Sequence, residues 1–125
     1  MAQILVVDDD PAIRQLLTDV LELDGHEVRT EADGLAAVRK LEMIRPDCVV
    51  LDVMMPGLDG YGVLRSIRGL DGDPIPVIML TAAAEPDTAV RAWGDGVDYF
   101  LAKPFKADQV LDLVDALLGD RIPTM

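Results

Sequence analysis

The stretch QILVVDDDPAIRQLL, residues 3–17, decides how the chain is read. Four apolar residues, Ile4 to Val7, run into three adjacent aspartates, Asp8, Asp9 and Asp10, and then into Pro11. An unbroken apolar run of this length suits a strand covered on both faces. Asp10 followed by proline is the pattern of an N-cap and a first helical residue. Ile13, Leu16, Leu17, Val20 and Leu21 then recur at helical spacing. The unit is a buried strand, an acidic corner and an amphipathic helix. Three adjacent carboxylates at one corner repel one another.

The same alternation runs through the chain. DGHEV reads as a turn into a short second strand. Leu35, Val38 and Leu41 mark a second helix, which ends before Pro46. CVVLD is a third strand, and Val63, Leu64 and Ile67 mark a short third helix. IPVIML is a fourth strand, Ala89, Val90 and Trp93 a fourth helix, VDYFLA a fifth strand. Val110, Leu113, Val114 and Leu117 mark the closing helix. Five strands alternating with five helices imply an α/β fold with a doubly wound parallel sheet. The flavodoxin-like strand order 2-1-3-4-5 places a ligand crevice beyond the carboxyl ends of strands 1 and 3. One domain over 1–118 and a C-terminal tail over 119–125 account for the length.

Charge narrows the function. Lys and Arg number 11 and Asp and Glu 23, a net charge of −12. Direct nucleic-acid binding needs clustered positive charge, so this chain is not expected to do it. No apolar run suggests a membrane span or a signal peptide, and a cytoplasmic location is the expectation. The one cysteine, Cys48, lies in an apolar run and reads as a packed thiol.

In that strand order Asp8 and Asp9, ending strand 1, converge with Asp52, ending strand 3, while Asp10 turns away to cap its helix. As solvated strand ends these acids would need no partner. The same edge, however, carries Thr81 at the end of strand 4 and Lys103 at the end of strand 5. Carboxylates, a hydroxyl and an ammonium at four strand ends form a candidate site for a hard divalent cation and an anion. Magnesium suits it, because it keeps several waters and needs few protein ligands.

The motifs VVDDD, PDCVVLDVMMPGLDG, VIMLTA and YFLAKPF, in that order, resemble the response-regulator receiver domain. This is the phospho-acceptor module of the two-component regulatory system, and the resemblance covers essentially the whole chain. It implies that a histidine kinase or phosphotransfer protein phosphorylates Asp52. It implies a Mg2+ site of Asp8, Asp9, Asp52 and the backbone carbonyl of Met54. It implies that Thr81 and Lys103 contact the phosphoryl oxygens, that Lys103-Pro104 is cis, and that Thr81 and the residue at position 100 form a switch. Output would pass through the face of helix 4, strand 5 and helix 5.

Two features depart from that pattern. Position 100, usually tyrosine, is Phe100. The closing helix has no arginine, so the paired charges of one dimerising subfamily are reduced to Arg91 and Asp98 as possible remnants. The only histidine, His26, reads as a surface residue away from every strand end, so a phosphohistidine donor must come from another protein.

Other classes fit less well. A haloacid-dehalogenase-like phosphatase needs a general acid two residues after its aspartyl nucleophile, where this chain has Met54. The expected chemistry is therefore self-phosphorylation and self-dephosphorylation, not turnover of external substrates. A flavodoxin would not place Asp8 to Asp10 against a phosphate. An EF-hand in DVMMPG lacks oxygen ligands at Met54 and Pro56. A receiver-like module that is never phosphorylated would not need the full set of acids, Thr81 and Lys103.

Overall fold

A computed structural model describes residues 2–81 and 96–119. In chain order the elements are β1 (Gln3–Val7), α1 (Pro11–Leu23), β2 (Glu27–Glu31), α2 (Gly34–Met43) and β3 (Cys48–Asp52). They continue with α3 (Gly60–Arg68), β4 (Val77–Thr81), β5 (Tyr99–Ala102) and α4 (Ala107–Leu118). All strand pairs are parallel, in the order β2-β1-β3-β4-β5. Four helices are therefore present among the described residues rather than the five expected. The expected helix around Ala89, Val90 and Trp93 lies outside them, as do Arg91 and residues 120–125 of the expected tail.

Strand alternation divides the core in two. Leu5, Val7, Val49, Leu51, Val77 and Met79 face one way and pack with Ala37 and Leu41 of α2 and Val63, Leu64 and Ile67 of α3. Ile4, Val6, Cys48, Val50, Ile78 and Leu80 face the other way, against Leu17 and Leu21 of α1 and Val110, Val114 and Leu118 of α4. Both faces of β1, β3 and β4 are thus covered, which is why these strands are apolar throughout. Cys48 is a buried thiol, as its apolar run predicts. No helix among the described residues is long and apolar enough to cross a membrane.

Local signals set the element ends. The Asp10 side chain accepts from the Ala12 N–H at 2.9 Å, and Pro11 opens α1. Asp33 and Asp59 cap α2 and α3 in the same way. On α2 it is Ala37, not Leu35, that reaches the core; Leu35 is exposed. The helix approaches closely enough that a Cβ on Gly34 would collide with the Leu58 carbonyl, so this face takes small residues.

His26 corrects the expectation of a surface residue. Its side chain is only 8% exposed, and Nδ1 accepts from the Ala2 N–H at 3.3 Å. The turn folds back beneath the start of β1 and buries the ring there. Asp98 accepts from Arg68 Nη2 at 2.9 Å and from the Val77 N–H at 2.7 Å. That carboxylate ties α3 to the sheet.

Candidate functional site

The register brings the acids together. Val7 pairs with Leu51 across β1 and β3, so Asp8 and Asp52, the next residue on each chain, stand side by side at the carboxyl edge. Thr81 pairs with Ala102 across β4 and β5, so Lys103 enters the same edge one residue later. Asp8 is fully buried, Asp52 is 4% exposed and Thr81 is buried. Asp9 is exposed at the mouth of the cleft.

Lys103 is the hub. Its Nζ donates to Asp8 Oδ2 at 3.0 Å and lies 3.4 Å from Asp52 Oδ1. Its backbone N–H donates to the Thr81 carbonyl at 2.6 Å, which ties the end of β5 to the end of β4. The Lys103-Pro104 peptide is cis. Asp8 Oδ1 accepts from the Asp10 N–H at 2.9 Å, so both oxygens of this buried carboxylate have partners. The Met54 N–H donates to Asp52 Oδ1 at 3.4 Å, while the Met54 side chain is exposed.

These contacts set the protonation. Burial, and then the negative charge of Asp8, push the Asp52 carboxyl up to about 6; the Lys103 charge and the Met54 N–H pull the other way. Burial works against the Lys103 ammonium. Its hydrogen bond to Asp8 and the charges of Asp52 and Asp8 outweigh that and hold its pKa above the usual lysine value.

One carboxylate oxygen from each of Asp8, Asp9 and Asp52 lies within 4.8 Å of the others. In a magnesium octahedron with bonds of about 2.1 Å, neighbouring ligands are about 3 Å apart and opposite ones about 4.2 Å. The donor set and its gathering at one edge suit a hard divalent ion. Asp10 is not part of the cluster, because it caps α1.

A family model, the response regulator receiver domain, matches residues 4–115. The chain belongs to that family. Response regulator MprA of Mycobacterium tuberculosis is 43% identical over 116 residues, covering 93% of this chain and 50% of that protein. The DNA-binding dual master transcriptional regulator RpaA of Synechocystis is 38% identical over 126 residues, 98% of this chain and 52% of that protein. The chain thus spans about half the length of these relatives. Among solved structures, the signal receiver domain of a histidine kinase from Syntrophus aciditrophicus superposes with a TM-score of 0.89 at 36% identity, covering 100% of this chain and 96% of that one. The receiver domain of sensor histidine kinase PA1611 from Pseudomonas aeruginosa superposes at 0.86 with 34% identity, over 94% of this chain and 98% of that one. That structure carries a magnesium ion coordinated in its active-site cleft.

One contributor to this receiver's cleft was not read from the sequence. Arg14 Nη1 donates to the Asp8 carbonyl at 2.7 Å and braces the acidic corner from the first turns of α1. An arginine one helical turn past an N-cap is a weak signal that many solvated helices share. Gly60 opens α3 directly beneath the end of β3. A Cβ there would collide with the Asp52 carbonyl and stand 2.8 Å from Val53 Cα.

Proposed function

We propose that this receiver domain is a magnesium-dependent phospho-acceptor switch of a phosphorelay, with Asp52 as the residue phosphorylated. The observation that carries the reading is the buried Asp52 carboxylate, 3.4 Å from an ammonium that also bonds Asp8. An Asp52 oxygen attacks the phosphorus of a phosphohistidine on a partner kinase or phosphotransfer protein. The P–N bond breaks, and its electron pair stays on the imidazole nitrogen, which then takes a proton. In-line transfer of this kind spreads negative charge over the phosphoryl oxygens. Lys103 is placed to offset that charge, and the Thr81 hydroxyl lies at the neighbouring strand end to receive a phosphoryl oxygen. Asp8, Asp9, Asp52 and the Met54 carbonyl would hold Mg2+, which when bound neutralises charge on the transferring group. Hydrolysis of the acyl phosphate by water returns Asp52 to its free form. The domain is thus a catalyst only of its own phosphorylation and dephosphorylation.

The phosphorylated state is read through Thr81 and Phe100 by a partner or output domain on the face that includes β5 and α4. Net charge of −12 argues against direct nucleic-acid contact by this chain. A cytoplasmic location belongs to the same proposal. The test is incubation with magnesium and a small acyl-phosphate donor, followed by intact-mass measurement. A gain of one phosphoryl group that Asp52→Asn abolishes is expected. Labelling that persists in Asp52→Asn would put the acceptor elsewhere, and continuous phosphate release from unrelated esters would favour a phosphatase.

A further inference from the structure

A second cluster lies at the opposite, amino-terminal edge of the sheet. Asp24 ends α1, His26 precedes β2, and Asp115 sits on α4. Each offers a ligand atom within 4.8 Å of the others. The His26 side chain is more than nine-tenths buried, and among the described residues its Nε2 makes no hydrogen bond. A buried nitrogen without a hydrogen bond calls for an explanation such as an ion.

We propose that Asp24, His26 and Asp115 form a site for zinc or a similar borderline divalent ion, separate from the phospho-acceptor cleft. An imidazole with two carboxylates suits zinc better than magnesium, which prefers oxygen alone. Nε2 stands 3.4 Å from Asp24 Oδ2. In a zinc tetrahedron with bonds of about 2.0–2.1 Å, adjacent ligands are about 3.3–3.4 Å apart. The first edge of the coordination shell is therefore already set, and Asp115, exposed on its helix, can close in. The fourth position is left to water.

Binding requires a tautomer change. Nδ1 now accepts from the Ala2 N–H, so the neutral ring carries its proton on Nε2. Metal at Nε2 moves that proton to Nδ1 and ends the bond from Ala2. The ion would pin the α1–β2 turn to α4 and shift the start of β1.

His26 is the only histidine, so one imidazole signal reports the event. The experiment is a zinc titration of the whole chain in excess magnesium, by calorimetry and by long-range 1H–15N NMR of the ring. Expected are one zinc per chain, transfer of the ring proton from Nε2 to Nδ1, and a shift of the Ala2 amide. His26→Gln and Asp115→Asn should each weaken binding at least tenfold. Asp115 is exposed, so its variant keeps the test valid if His26→Gln fails to fold. No zinc binding, an unchanged ring proton, or undiminished binding in Asp115→Asn would overturn the proposal. The first two outcomes would leave His26 as an imidazole beside Asp24 and nothing more.

Discussion

Removing the charge of Asp52 should stabilise the metal-free protein. Its folded pKa of about 6 lies above its ordinary 3.8. Below pH 3.8 the carboxyl is neutral in both states and the site carries no penalty from it. Between pH 3.8 and 6 the unfolded chain ionises first, so stability falls as pH rises; above 6 the loss is complete. A shift of about two units corresponds to about 3 kcal/mol at pH 8, and to about half that at pH 5, where the folded group is still mostly protonated. Asp52→Asn removes this cost but also weakens a contact of Lys103, which retains Asp8. The expected net gain is about 1–3 kcal/mol at pH 8, or on the order of 5–10 °C in Tm for a chain of this size. Urea unfolding in a strong chelator at pH 5 and pH 8 measures it. If Asp52→Asn is no more stable than the parent at pH 8, or if its advantage is the same at both values, the charge of Asp52 does not strain this fold.

Three further outcomes follow from the same geometry. Magnesium should raise the Tm of the parent by mass action, and Asp9→Ala should remove most of that gain; equal stabilisation of both proteins would move the ion elsewhere. Gly60→Ala sets a methyl against the Asp52 carbonyl, so a loss of about 1–3 kcal/mol and slower phosphoryl uptake are expected, and unchanged unfolding would mean the loop yields freely. Phe100, half-buried against the core cluster that includes Met79, has no hydroxyl to satisfy, so NMR should show Phe100→Tyr shifting the unphosphorylated ring outward; an unchanged or more inward ring would refute this.

Much of this architecture is legible from residues alone. β1, β3 and β4 announce themselves because both faces are covered and no polar residue interrupts them. Their aspartates and Thr81 then fall at one edge by the geometry of a parallel sheet. Helix faces are less legible: Leu35 outranks Ala37 in hydrophobicity, yet Ala37 is the residue buried, while Gly34 meets the Leu58 carbonyl. Side-chain commitments that join distant parts of the chain are legible only where strand ends gather at one edge, as those of Lys103 and Asp8 do. Nothing local to Asp98 signals Arg68, which is 30 residues away, whereas Lys103 meets Asp8 across 95 residues, with β3 and β4 lying between their strands. His26 misled for a related reason. A histidine after Asp-Gly has the look of a solvent turn, and only the return of the chain under Ala2 buries it.

The charges in the cleft decide what a bound cation contributes. Asp8, Asp9 and Asp52 against Lys103 leave two net negative charges when all are ionised, the amount one divalent ion cancels. An obvious role for the ion would be to ionise the nucleophile. With a pKa of about 6, however, Asp52 is already about nine-tenths ionised at pH 7 without metal. Ionisation can therefore supply only about a 1.1-fold gain in rate at that pH. Any larger dependence on magnesium must come from charge that develops on the phosphoryl group during transfer, where Lys103 alone leaves two of the three carboxylate charges uncompensated. Chelation at pH 7 and at pH 8 should then slow phosphoryl uptake by the same large factor. If the loss instead shrinks between pH 6 and pH 8 in step with the titration of Asp52, the ion acts on the nucleophile and this division of labour is wrong.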